Sequence, residues 1–334
     1  KKAIYLVPNY PAAHNNLGNI YKDLNQLDDA VKSYETAIAI KPDYAEAYFN
    51  LGTTYKNLNK LNLAVDYYKK AITLKVDYAD AYNNLGIVLK ELKLFDEALS
   101  NYELAYSIKP EISYILGPIL QIKKNRCSWN LLSSYLQHLE QNINLDKKGI
   151  SPFVFLGMID DVSLQQKNTE RWVNEKHPRN NILPILKSYS DHKKIRLGYF
   201  SADFREHPVS DLIVELLEVH NRDQFEIHAF SCGKDTKDKM NLRIKASVDH
   251  FHNVHMKPDK DVAMLVRSYE IDIAIDLGGF TQGNRTEIFA MLAAPIQVCY
   301  LGYAGTMGAD YMDYLICDRI VIPEDKQNFY SENL

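Results

Sequence analysis

The sequence predicts an α-solenoid followed by a doubly wound, parallel α/β sheet. Two patterns carry this prediction. Residue types recur at a fixed spacing of 34 through the first third of the chain, and from Ile195 onward short apolar runs alternate with amphipathic stretches. A third observation, polar and glycine residues gathered where apolar runs end, marks where a sheet of this kind would take a ligand. The 334 residues suffice for two domains, and 46% hydrophobic with 25% charged residues is the balance of an ordinary soluble protein. A net charge of -4 offers no basic stripe for nucleic acid. No apolar run approaches the roughly 18 residues of a membrane span, and the start lacks the layout of a signal peptide. These features predict a cytosolic protein with neither nucleic acid nor membrane as partner. The chain begins without Met and ends inside a continuing α/β pattern, so it reads as a segment of a longer protein.

Leu17-Gly18, Leu51-Gly52 and Leu85-Gly86 lie 34 residues apart, as do Ala30, Ala64 and Ala98, then Tyr34, Tyr68 and Tyr102, then Ala37, Ala71 and Ala105. Pro8, Pro42 and Pro110 close the units, with Val76 in the remaining place. This is the tetratricopeptide pattern, in which small residues let two helices approach and aromatic rings fill between them. Residues 1–111 thus hold three full repeats behind the tail of a fourth. Stacked repeats present a concave face. Asn16, Asn50 and Asn84 share one position before each Leu-Gly, and an amide that both donates and accepts can hold the backbone of an extended peptide. The alternative is a repeat residue that faces solvent.

Between residues 112 and 190 the period fades. Helical stretches at 115–122 and 131–143 read as a cap, another helix follows at 163–175, and residues 178–184 with the polar run 188–194 read as a connector, with a domain boundary near residue 190. Residues 191–334 then read as strand 195–200, helix 208–220, strand 225–232, helix 240–248, strand 250–254, helix 259–269, strand 271–277, helix 285–292, strand 296–301 and strand 314–317. Right-handed crossovers put every strand-to-helix loop of such a sheet on one edge.

Three of those loops carry chemistry. The first holds Asp203, Arg205, Glu206 and His207, just ahead of Pro208 at a helix start. The second is Gly278-Gly279-Phe280-Thr281-Gln282-Gly283-Asn284-Arg285, and the third runs from Leu301 through Gly302, Gly305 and Thr306 to Gly308. Glycines there allow close backbone approach to an oxygen-rich ligand, or only tight turns. Neither loop is the dinucleotide fingerprint or a Walker loop. His207 is the proton handler among these residues. His250, His252 and His255 cluster on one segment, but no second His/Cys pair accompanies them, so the segment reads as strand edge and loop rather than a zinc site. Asp259-Lys-Asp261 has the spacing of a metal-nucleotide motif but sits where a helix needs capping. The four cysteines are far apart and read as buried free thiols.

Taken together, the repeats, Arg196-Leu-Gly-Tyr-Phe-Ser-Ala-Asp-Phe-Arg-Glu-His207-Pro-Val-Ser, Asp276-Leu-Gly-Gly-Phe-Thr-Gln-Gly-Asn-Arg285 and Ala294-Pro-Ile-Gln-Val-Cys-Tyr-Leu-Gly-Tyr-Ala-Gly-Thr-Met-Gly-Ala309 resemble the protein O-linked N-acetylglucosamine (O-GlcNAc) transferase family, which includes the SPINDLY-type transferases. The resemblance spans essentially the whole chain. It implies the first Rossmann-like half of a GT-B glycosyltransferase, inverting and metal-free, with no cofactor beyond the donor UDP-GlcNAc, that glycosylates Ser or Thr of intracellular proteins. His207 matches the family's active-site histidine, the Asn16, Asn50 and Asn84 ladder its peptide groove, and Gly279, Thr281, Arg285, Gly302, Gly305 and Thr306 its donor cleft. Leu292-Ala-Ala-Pro295, Tyr300 and Gly302-Tyr-Ala-Gly-Thr306 depart from the family's usual Arg-Pro-Ala-Pro, Trp and Gly-Tyr-Pro-Gly-Thr. The second half of the fold, which holds most nucleotide contacts in the family, lies outside the sequence, so this segment alone is expected to turn over little or no substrate. The alternatives are a SPINDLY-type fucosyl transfer from GDP-fucose and a non-catalytic scaffold of repeats.

Overall fold

The computed structural model describes residues 2–145, 147–186, 188–189 and 192–334. It divides into two compact units, one ending at Tyr135 and the other beginning at Leu136. The boundary expected near residue 190 falls beside residues 187, 190 and 191, which lie outside the described residues.

The first unit is helical throughout. After α1 (Lys2–Leu6) come three antiparallel pairs: α2 (Pro11–Asp23) with α3 (Leu27–Ile40), α4 (Ala45–Asn57) with α5 (Leu61–Leu74), and α6 (Ala79–Glu91) with α7 (Phe95–Ile108). The repeat residues explain the pairing. A methyl group on Gly18 would lie 2.5 Å from the Tyr34 ring, and on Gly52 or Gly86 it would lie 2.9 Å from Tyr68 or Tyr102. Only a bare Cα lets these fully buried rings seat against the facing helix. The turns repeat too, because Asn25, Asn59 and Lys93, again 34 apart, all take left-handed backbone angles. Beyond them α8 (Leu116–Asn125) packs on α7. Its Lys123 is 4% exposed, and the buried ammonium is matched by Glu103 Oε1 at 2.9 Å and the Asn130 carbonyl at 3.1 Å.

The helix α9 (Leu132–Asn144) bridges the point where the units divide. The second unit then adds α10 (Pro152–Leu156) and α11 (Val162–Lys176) before the sheet. Its strands and helices alternate: β1 (Ile195–Ser201), α12 (Pro208–Val219), β2 (Phe225–Ser231), α13 (Lys239–Ala246), β3 (His250–Asn253), α14 (Asp259–Ser268), β4 (Ile273–Asp276), α15 (Thr286–Ala290), β5 (Ile296–Tyr300) and β6 (Tyr314–Ile316). All pairings are parallel, in the order β3-β2-β1-β4-β5-β6. This is the doubly wound arrangement that the alternation predicted, with the strand order of a Rossmann fold.

Period-two alternation splits the strand side chains between two cores. Phe200 and Phe230 stack at 4.6 Å on the face covered by Val262 and Val266 of α14 and Phe289 of α15. Leu197, Tyr199 and Ile227 occupy the other, under Ile213 and Leu217 of α12 and Ile244 of α13. Most elements match their expected ranges to within about two residues; α8 runs three residues beyond the expected 115–122, and α15 stops two residues short of the expected end at 292. Leu292 has φ 55, which no helix interior accommodates. The thiols divide as well. Cys232 and Cys299 are buried as expected, whereas Cys127 and Cys317 are exposed, Cys317 because it follows β6 at the sheet's edge.

Candidate active site

The chain leaves β1 towards β2 on one side and β4 towards β5 on the other, so the loops that follow these adjacent strands diverge. A crevice opens at such a switch point. Here it is lined by Ser201, Ala202 and Asp203 from the first loop and by Asp276, Gly278 and Thr281 from the second.

His207 is the N-cap of α12, with extended angles of φ -163 and ψ 145. Its Nδ1 accepts the Val209 N–H at 3.3 Å, and the Asp203 Oδ2 lies 3.8 Å from the same nitrogen. Nε2 is thereby the nitrogen left for a ligand, on an imidazole that is 34% exposed. Asp203 is itself held, since its N–H donates to Ser201 Oγ at 2.9 Å and its carboxylate receives Arg205 at 2.7 Å. The loop is therefore braced before anything binds.

Gly279 in the second loop has φ 54, and a Cβ there would fall 2.4 Å from the Tyr303 Cβ. Thr281 closes the turn by donating its hydroxyl to the Gly278 carbonyl at 2.8 Å. Arg285 lines the crevice, but its guanidinium donates to the Asp259 carboxylate, the Val254 carbonyl at 2.9 Å and the Lys257 carbonyl at 2.6 Å. It pins the segment before α14. Asp259 accordingly serves Arg285, and the capping role expected for it is not seen, because the N-cap of α14 is Pro258.

The third loop splits its residues. Leu301 has φ 76, and a Cβ on Gly302 would lie 2.1 Å from the Leu277 carbonyl, so Gly302 packs on the second loop beside the crevice. Gly305 and Thr306 instead line a separate pocket with Phe155, Leu156, Tyr303 and Tyr330. The Thr306 hydroxyl donates to Glu332 Oε2 at 2.8 Å, and burial raises that carboxyl above its usual range. His207, Gly279, Thr281 and Gly302 are thus brought to one edge, while the polar groups of Arg285 and Thr306 are engaged within the fold.

One residue of the crevice escaped the sequence reading. Asp276 closes β4, its Oδ1 accepts the Gly278 N–H at 2.8 Å, and its Oδ2 has no hydrogen-bond partner among the described residues. Burial pushes its pKa up to about 6. A carboxylate ending an otherwise apolar run was the available signal.

In the repeats the shared asparagine position is not uniform. Asn16 is exposed, Asn84 is half-buried, and Asn50 is buried with its amide donating to Asn15 Oδ1 at 3.0 Å. Asn15 in turn donates to Glu46 Oε1 at 3.2 Å. A side chain in the middle of the stack therefore joins neighbouring repeats.

Residues 175–334 match Glycosyl transferase family 41, and tetratricopeptide repeat families match residues 1–32, 18–59, 45–78 and 79–112. Over 152 residues the chain is 39% identical to a probable UDP-N-acetylglucosamine–peptide N-acetylglucosaminyltransferase SEC of Arabidopsis thaliana, covering 46% of this chain and 16% of that protein. It is 33% identical over 148 residues to the UDP-N-acetylglucosamine–peptide N-acetylglucosaminyltransferase of Caenorhabditis elegans, covering 44% and 13%. A probable enzyme of the same description, SPINDLY of Oryza sativa subsp. japonica, is 33% identical over 142 residues, covering 41% and 15%. These alignments span less than a fifth of each relative. A mutant O-GlcNAc transferase of Thermobaculum terrenum shares the fold over 97% of this chain and 56% of its own, with TM-score 0.54 and 22% identity. No helix among the described residues is long and apolar enough to cross a membrane. This chain thus joins tetratricopeptide repeats to a Rossmann-like region that matches glycosyl transferase family 41, and it is similar to proteins named SEC and SPINDLY.

Proposed function

We propose that the chain belongs to an intracellular, metal-independent protein O-GlcNAc transferase that moves N-acetylglucosamine from UDP-GlcNAc to Ser or Thr, with inversion, on proteins whose extended segments bind the repeats. The observation that carries this reading is a half-exposed imidazole on the cap of α12, beside the crevice where the β1 and β4 loops diverge. Inversion needs the acceptor hydroxyl to attack the anomeric carbon from the face opposite the nucleotide while its proton is taken or relayed. His207 presents Nε2 for this. A base at Nε2 carries its own proton on Nδ1, and Asp203 Oδ2, 3.8 Å away, is placed to receive it when Nδ1 gives up the Val209 cap. The N–H groups at the start of α12 and in the glycine loops supply partial positive charge for the departing diphosphate. The names of both the SEC and the SPINDLY relatives specify UDP-N-acetylglucosamine, which supports that donor over GDP-fucose.

The test is transfer by the full-length protein to an acceptor protein, with UDP-GlcNAc and GDP-fucose supplied in parallel in the presence of a chelator. The reading expects N-acetylglucosamine on Ser or Thr. Fucose as the product would overturn the donor assignment, and no transfer from either would leave a docking protein.

A further inference from the structure

We propose that Glu226, His228 and His250 form a binding site for a divalent transition-metal ion, Zn2+ foremost, at the amino edge of the sheet. The strand register builds it. His228 of β2 pairs with His250 of β3, and Glu226 lies two residues before His228, on the same face. Glu226 Oε1 is 3.2 Å from His228 Nε2 and 3.1 Å from His250 Nε2, and the three ligand atoms lie within 4.8 Å of one another. In a tetrahedral shell with bonds of about 2.0–2.1 Å, neighbouring ligand atoms are about 3.3 Å apart. Two of the three edges of the site already have that length. The third closes through His250, whose side chain is 47% exposed and can swing, whereas His228 is fixed with 2% exposure.

The surrounding contacts orient the ligands as metal sites require. Arg196 Nε lies 3.4 Å from Glu226 Oε2, which holds the carboxylate so that Oε1 is turned towards the imidazoles. His228 Nδ1 is 3.1 Å from His252 Nε2, so that nitrogen is spent on a neighbour and Nε2 is the one available to an ion. Two imidazoles and one carboxylate are donors that zinc takes readily, and the exposed side of His250 leaves a fourth position to water. The sequence argued against zinc because no second pair accompanied His250, His252 and His255. The adjacent strand supplies His228 and Glu226 in place of such a pair. This edge lies across the sheet from the crevice, so the ion would tie β2 to β3 and take no part in transfer.

Metal-stripped chain titrated with Zn2+ against a chromophoric chelator tests this. One equivalent is expected to bind and to raise Tm. His250→Ala and Glu226→Gln are each expected to weaken binding at least about tenfold, while His255→Ala leaves it unchanged. Because Glu226 also pairs with Arg196, His250→Ala carries the test if the other variant is unstable, its metal-free Tm reporting that it folds as the parent does. No saturable uptake, or uptake that His250→Ala leaves intact, would overturn the site and reduce the cluster to a hydrogen-bonded His and carboxylate group.

Discussion

The two edges of the sheet differ in how they treat polar groups. At the amino edge His192 Nε2 meets Glu270 Oε2 at 2.9 Å, its Nδ1 meets Asp272 Oδ2 at 3.1 Å, and Arg196 spans Glu270 at 2.9 Å and Glu226 at 3.4 Å. Charge there is neutralised within the fold. At the carboxyl edge an Asp276 oxygen is buried without a partner among the described residues, the imidazole of His207 keeps one nitrogen for a ligand, and Gly279 and Gly302 sit where a side chain would not fit. A buried carboxylate oxygen without a partner beside a free imidazole nitrogen is what a binding edge offers.

The sharpest way to break this contrast is Gly302→Ala. The added methyl would sit 2.1 Å from the Leu277 carbonyl, a backbone atom with no rotamer to escape through. A loss of about 3 kcal/mol or more is expected in the unfolding free energy from urea melts, and a loss below about 1 kcal/mol would mean that the carboxyl edge is loosely packed.

Asp276→Asn ranks next, with the opposite sign. A folded-state pKa of about 6, against an ordinary 3.8, means that the carboxyl favours the folded state below the ordinary value and that this favour is lost as pH rises through about 6. Removing the charge should stabilise the protein by roughly 1–3 kcal/mol at pH 7 and change little at pH 4. A destabilised variant at pH 7 would place an unseen partner on Oδ2.

The smallest effect separates the edges by pH. The hydrogen bond from Glu270 raises the His192 pKa above the ordinary 6.5. Its contribution is complete below that value and lost as pH rises through the raised one. Thermal melts should therefore show a decline above pH 6.5 that His192→Ala reduces, and a decline between about pH 4 and 6 that Asp276→Asn reduces and His192→Ala leaves in place.

What could be read from the chain follows the range of the interactions. Gly18 and Tyr34 touch across a single turn of the chain, so a 34-residue period reveals them. The apolar runs of β1 and β2 announce a buried parallel sheet, and Pro208 marks the start of α12, which puts His207 on a loop. Residues joined only by register are invisible to spacing. Glu226 and His250 stand 24 apart with a helix between them, and nothing local says that their side chains meet. The burial of Asn50 and the exposure of Asn16 likewise depend on which helices flank each, although their sequence context is the same.

The central claim is that His207 handles the acceptor proton at the carboxyl edge, and His207→Asn in the full-length protein tests it most directly. Asparagine keeps the N-cap of α12, so the fold should persist. The account predicts an unchanged Tm, near-unchanged KM for UDP-GlcNAc and kcat lowered by about 100-fold or more. Full kcat in a variant that melts with the parent would contradict it.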